Sequence, residues 1–189
     1  ARRLAADGGD GGAPDEVEGA WIDPGIARPD ARGWARACSL RRRACVLAGP
    51  RGGAARARDV LGALDRALEA LATLGLPAPD PSPVTASYDV FAEDAPLEAP
   101  SDTLLEARDP RRGVDRASGF SRVDPRVAAG CALDHAVARA ALLASLLRVA
   151  PATAPGAAAG TTSYLARLVA PCALARPDGI ADAQLAPER

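Results

Sequence analysis

This chain of 189 residues contains no lysine, no asparagine and no methionine, three isoleucines, one histidine and six aromatic residues. Without lysine, the phosphate loop that ends in Gly-Lys-Ser/Thr is excluded. The net charge is −1, with 24 acidic residues interspersed among 23 arginines, so no basic face argues for nucleic acid. No run approaches the ~18 apolar residues that a membrane span needs. Alanine, with 46 residues, supplies about half of the 48% apolar content, which leaves a core built mainly from Leu and Val. The heavy use of Ala, Gly, Pro and Arg reads as the mutational bias of a high-GC bacterial genome. It does not read as arginine chosen for phosphate or carboxylate forks. A chain without methionine lacks an initiator, and is expected to be a mature form or a trimmed piece whose signal peptide lies out of view.

Four cysteines are present: Cys38, Cys45, Cys131 and Cys172. None forms a CxxC pair. Cys38 and Cys45 flank a hairpin-sized loop with a basic tip, Arg41-Arg42-Arg43. Cys131 and Cys172 flank the two C-terminal helices. Four cysteines allow three pairings, and sequence alone does not choose among them. Spacing favours 38–45 with 131–172, each bridge contributing about 2–4 kcal/mol and implying an oxidising compartment. Buried free thiols and a metal site are the alternatives. Cys131 and His135 stand four apart on one helical face, a spacing that suits two zinc ligands, and Cys172 would be a third. Structural zinc wants four ligands, however. The simpler account of His135 is a half-buried imidazole at a helix start, satisfied by water or a carbonyl.

Residues 1–18 are rich in Gly, Asp and Ala and bury too little surface to offset their ordering entropy; they are expected to be a disordered tether. Trp21, Ile22 and Trp34 are the first residues able to anchor to a core. Gly33–Ser39 is expected to form a short helical turn, and Ala44–Ala48 a strand. Gly49-Pro50-Arg51-Gly52-Gly53 then leads into a helix, the layout of a phosphate cradle, but GxGxxG is not matched. From Ala54 to Leu74, Val60, Leu61, Leu64, Leu68, Leu71 and Leu74 form one apolar stripe. Gly75 suits the left-handed position after a helix, and Pro77 and Pro79 forbid continuation. Tyr88–Ala92 reads as a strand. Glu93–Pro110 reads as irregular and solvated, with a short turn at Leu104-Leu105, and Ala117–Val123 reads as a second strand. Ala132–Val149 is apolar nearly all round, the mark of a central buried helix. Pro151–Gly160 reads as a linker, and Thr161 or Thr162 as the cap of a third helix through Val169. The tail from Arg176 has room for one more short helix.

The order of long helix, LGLPAPDP corner, strand YDVFAED, acidic stretch, strand SGFSRVD and buried helix CALDHAVARAALL resembles the front half of a gluzincin-type zinc metallopeptidase core. In that family one strand runs along the substrate cleft and the next helix carries HExxH. The chain is also similar to a group of secreted Ala/Arg-rich proteins of high-GC bacteria, in which a DRAS-x-F strand, here Asp115–Phe120, precedes that helix. The resemblance covers Ala54 to Val169. Aligned on HExxH, Cys131 takes the place of the first His, Ala132 that of the catalytic Glu, and His135 that of the second His. Alanine cannot act as the general base that activates a metal-bound water. A gluzincin also needs a later glutamate, and no acidic residue lies between Asp134 and Asp178. The resemblance therefore implies a degenerate, non-hydrolytic relative.

Other chemistries have less footing. No GxSxG nucleophile elbow exists, and Asp134 and His135, adjacent on a helix, diverge. Paired carboxylates or a calcium site would have to come from Asp89, Glu93, Asp94 or Glu98, and their spacing matches no EF-hand loop. The expectation is an α+β protein: a small sheet flanked by three main helices, zincin-like at best and disulfide-supported, with residues 19–189 as a single domain. Its expected function is non-catalytic, extracytoplasmic binding or structure, with no catalytic residue and no cofactor. Its partner is unknown, protein being the class left open. The alternative is a metal-dependent or other hydrolase using Cys131, His135 and Cys172.

Overall fold

A computed structural model describes residues 28–109, 116–150 and 155–170. The expected tether, Trp21, Ile22, Cys172 and the tail from Arg176 lie outside the described residues. Five strands and three helices follow in the order β1 (Ala35–Ser39), β2 (Ala44–Ala48), α1 (Gly53–Thr73), β3 (Tyr88–Ala92), β4 (Ser101–Asp109), β5 (Arg116–Val123), α2 (Cys131–Val149) and α3 (Pro155–Val169). The strands form one mixed sheet in the order β1-β2-β3-β5-β4. β2, β3 and β5 run parallel, while β1 and β4 are antiparallel edges. The protein is thus α+β, with three helices on a small sheet.

The pleat sorts side chains onto two faces. Ala44, Val46 and Ala48 of β2, Tyr88 and Val90 of β3 and Val123 of β5 point toward the helices, where Val60, Leu64 and Leu71 of α1 and Leu133, Val137 and Leu142 of α2 meet them. α1 packs on β1 and β2, α2 on β4 and β5 and against α1, and α3 lies on α2. The leucine stripe of α1 is core. α2 is buried over most of its circumference because it sits between sheet and α3, as its composition requires. Gly119 of β5 explains how closely these layers approach: a Cβ there would come 2.2 Å from the Leu104 carbonyl oxygen and 2.8 Å from Leu147 Cδ1.

Three local expectations are corrected. Gly33–Ser39 is no helical turn: Ala35–Ser39 is β1, paired along its whole length with β2 and tied by the Cys38–Cys45 disulfide across one directly opposed pair. Ser101–Asp109 is a nine-residue strand where an irregular stretch with a turn at Leu104-Leu105 is expected. Its acidic residues disfavour a strand locally, but alternation places Ser101, Thr103 and Leu105 under α2 and Asp102, Leu104 and Glu106 on the other face. α3 begins at Pro155, not at a Thr161 or Thr162 cap, so part of the expected linker is helix. Proline suits a first helical position and the alanines that follow favour the helix.

Candidate functional site

The first candidate is the opening of α2. Gly130, at φ +90°, lets the chain turn sharply into the helix at Cys131. Asp134 stands in the first turn, where a carboxylate complements the helix dipole. Arg66 of α1 reaches across and donates to Asp134 Oδ1 at 2.5 Å. On one side of this bridge a groove of about 260 Å³ runs between α1, α2 and α3, floored by Ala63, Ala67, Ala138 and Ala170. On the other side lies a second groove of about 260 Å³, bordered by Arg58, Asp59 and Gly130. His135 is half-buried in the same helical turn.

The site residues read from sequence divide as follows. Cys38 and Cys45 form one bridge. Cys131 is disulfide-bonded as well, while Cys172 lies outside the described residues. A cystine sulfur is neither a nucleophilic thiolate nor a thiolate ligand. Among the described residues no three His, Cys, Asp or Glu side chains gather as a metal would require. The α2 opening therefore does not fit a zinc ion: it offers one imidazole, a sulfur held in a disulfide and the Asp134 carboxylate, which Arg66 already engages, with an alanine where a further side-chain ligand or base would stand.

The acidic candidates do not converge. Asp94 accepts from the Arg51 backbone N–H at 3.2 Å and sits so close to Gly49 that a Cβ there would lie 2.5 Å from its Cγ. The glycine-rich loop before α1 thus wraps a carboxylate of its own chain. That carboxylate serves a helix N-terminus with no acidic residue in its first turn and no side-chain cap. Burial raises the Glu93 carboxyl above its ordinary value, opposed by nearby Arg122. Glu98 is exposed. Asp89 lies on the sheet's second face.

That face carries a buried polar arrangement, and sequence reasoning missed most of it. Phe91, Phe120 and Leu104 form its apolar floor, joined by Ala31, Trp34 and Leu47. Phe91 meets Phe120 edge-on at 5.5 Å and Trp34 at 6.1 Å. Arg28 lies over both phenylalanines, its Cζ 5.5 Å and 5.6 Å from their centroids. Its guanidinium donates to Asp89 Oδ2 at 2.5 Å and to both oxygens of Glu106 at 2.8 and 3.1 Å. Burial pulls against the charge, but the Glu106 and Asp89 hydrogen bonds outweigh it and raise the Arg28 pKa. Asp89, 1% exposed, also accepts from the Thr85 hydroxyl at 2.7 Å and the Ser87 hydroxyl at 2.6 Å. Between those hydroxyls Ala86 takes a left-handed backbone, φ +55°. The usable signal in sequence was the alternation of Asp102, Leu104 and Glu106 against Thr103 and Leu105. Nothing local marked Arg28 as their partner.

No protein-family description, curated protein or solved structure matches the chain.

Proposed function

We propose that this protein is a non-catalytic, extracytoplasmic binding or structural module on a degenerate metallopeptidase-like scaffold. The observation that carries this reading is the state of the α2 opening. Cys131, in the place of the first HExxH histidine, is disulfide-bonded, and Ala132 stands where the general base would be. His135 is the one histidine of the chain. On the scaffold side the reading rests on the order α1, β3, β5 and α2 along the chain. The Cys38–Cys45 bridge supports an oxidising compartment. No helix among the described residues is long and apolar enough to cross a membrane. The alternative, a hydrolase using Cys131, His135 and Cys172, would need a reduced Cys131.

Mass measurement with and without alkylation, in native and reducing conditions, separates the two. Unreactive cysteines before reduction, and no stoichiometric zinc or peptide cleavage, are expected. Alkylation of Cys131 in the native protein, together with cleavage that His135→Ala abolishes, would establish the hydrolase instead.

A further inference from the structure

The second face of the sheet holds an arrangement that neither the scaffold nor the α2 opening requires. Two carboxylates converge on one guanidinium, and two aromatic rings lie beneath it. A planar cation with forked donors satisfies all of these groups at once; a lysine ammonium, a point charge, does not.

The acceptors are organised independently of the residue that fills them. Thr85 and Ser87 fix Asp89 from the loop before β3, Glu106 projects from β4, and Phe91 and Phe120 belong to β3 and β5. The loop itself is braced by the Ser82 N–H donating to the Ser87 carbonyl and the Ala86 N–H donating to the Ser82 carbonyl, both at 2.9 Å. Its left-handed Ala86 is strain spent on holding the two hydroxyls beside Asp89.

The occupant is held differently. Arg28 belongs to a strap, residues 28–34, that pairs with no strand. Its backbone hydrogen bonds among the described residues are internal: Trp34 N–H to the Ala31 carbonyl at 3.1 Å and Arg32 N–H to Asp30 Oδ1 at 3.3 Å. Asp30 and Arg32 between the anchors are exposed and pair with each other. The strap is therefore fastened by the side chains of Arg28 and Trp34 and not by a backbone ladder. With no ladder to break, opening the strap costs those side-chain contacts alone, and a competing guanidinium restores the ones to Asp89 and Glu106.

We infer that this face is a binding site for a peptide arginine, and that Arg28 fills it in cis as a tethered, displaceable occupant. The ligand class is an arginyl side chain on an extended peptide. This inference is independent of the reading of the α2 opening, and either can fail without the other. A short tether gives its occupant an effective concentration on the order of millimolar, so a competing arginine is required at tens of millimolar.

The test uses N-acetyl-arginine methylamide as probe and N-acetyl-lysine methylamide as its control. In the native chain, hydrogen exchange of residues 28–34 accelerates with the arginine derivative and not with the lysine derivative. In Arg28→Ala the vacated site binds the arginine derivative, which raises Tm by about 3–6 °C at tenfold its Kd. Arg28→Ala/Glu106→Gln loses that selective rise. Arg28→Lys replaces Arg28→Ala if the latter does not fold, and the native-chain measurement depends on no variant. An equal response to both derivatives, or no response, overturns the inference.

Discussion

The two faces of one sheet are stabilised by opposite means. The helix-covered face is a broad apolar contact, with Val46, Val60, Leu64, Val90, Val123 and Leu142 all fully buried. Three of its polar groups form a chain, in which Tyr88 Oη and Thr103 Oγ1 each lie 2.7 Å from Ser121 Oγ and the Thr103 hydroxyl donates to the Ala140 carbonyl in α2, while the Ser101 hydroxyl donates separately to the Ala136 carbonyl. The second face has a small aromatic floor, and its order comes from a few charged, directional contacts, the buried ones through Arg28 and another between Arg122 and Asp102. A face held by area degrades gradually when trimmed. A face held by one shared cation should fail sharply when that cation is removed.

The sharpest break is therefore Arg28→Ala. It leaves a 1% exposed Asp89 and a 13% exposed Glu106 without their shared guanidinium. Loss of one partner of a buried pair costs about 3–5 kcal/mol, measurable by urea unfolding. A loss below 1 kcal/mol would mean that water replaces the guanidinium freely and the comparison fails. On the helix side, Leu64→Ala removes a fully buried side chain between α1 and the sheet. It should cost about 3 kcal/mol through lost transfer and residual cavity. Without the Cys38–Cys45 bridge, Cys38→Ser/Cys45→Ser frees a loop of sequence separation 7. Chain entropy puts that loss at about 2 kcal/mol, read as a lower unfolding midpoint than the oxidised parent.

Tyr88→Phe breaks one end of the hydroxyl chain while Thr103 and Ser121 stay paired. A drop of about 1 kcal/mol is expected; a drop as large as that of Arg28→Ala would make the helix face equally dependent on polar contacts. The last test is pH. The Asp124 carboxyl accepts from the Arg126 side chain and from the backbone N–H groups of Leu97 and Arg126. Arg126, ahead of a smaller opposing contribution from burial, lowers its pKa to about 2. The folded value lies below the unfolded one, so the stabilisation is present above pH ~4 and fades as pH falls toward 2. The urea midpoint of the parent should converge on that of Asp124→Asn across that window, and a constant gap down to pH 2 would refute the assignment.

Much of the helix-side architecture was legible in the residues. The spacing of Val60, Leu64, Leu68 and Leu71 marked α1, and Gly75 with Pro77 marked its end. The nearly all-apolar run from Leu133 to Val149 marked a buried α2. Short apolar runs marked β2 and β3 at their observed bounds, Ala44–Ala48 and Tyr88–Ala92. These are local periodicities, set by the 3.6-residue and two-residue repeats of the backbone. Composition also excluded a lysine-dependent phosphate loop, because the chain has no lysine, and an HExxH helix, because it has a single histidine.

Tertiary structure alone decided the rest. Ala35–Ser39 becomes a strand because β2 and the Cys38–Cys45 bridge pair it. Ser101–Asp109 becomes one because β5 lies on one side and α2 covers its Ser and Thr residues. Arg28 meets Asp89 and Glu106 across 61 and 78 residues of chain. Neither carboxylate announces its partner, because an ion pair has no sequence period. Only the folding of a distant strap onto the sheet brings the charges within reach.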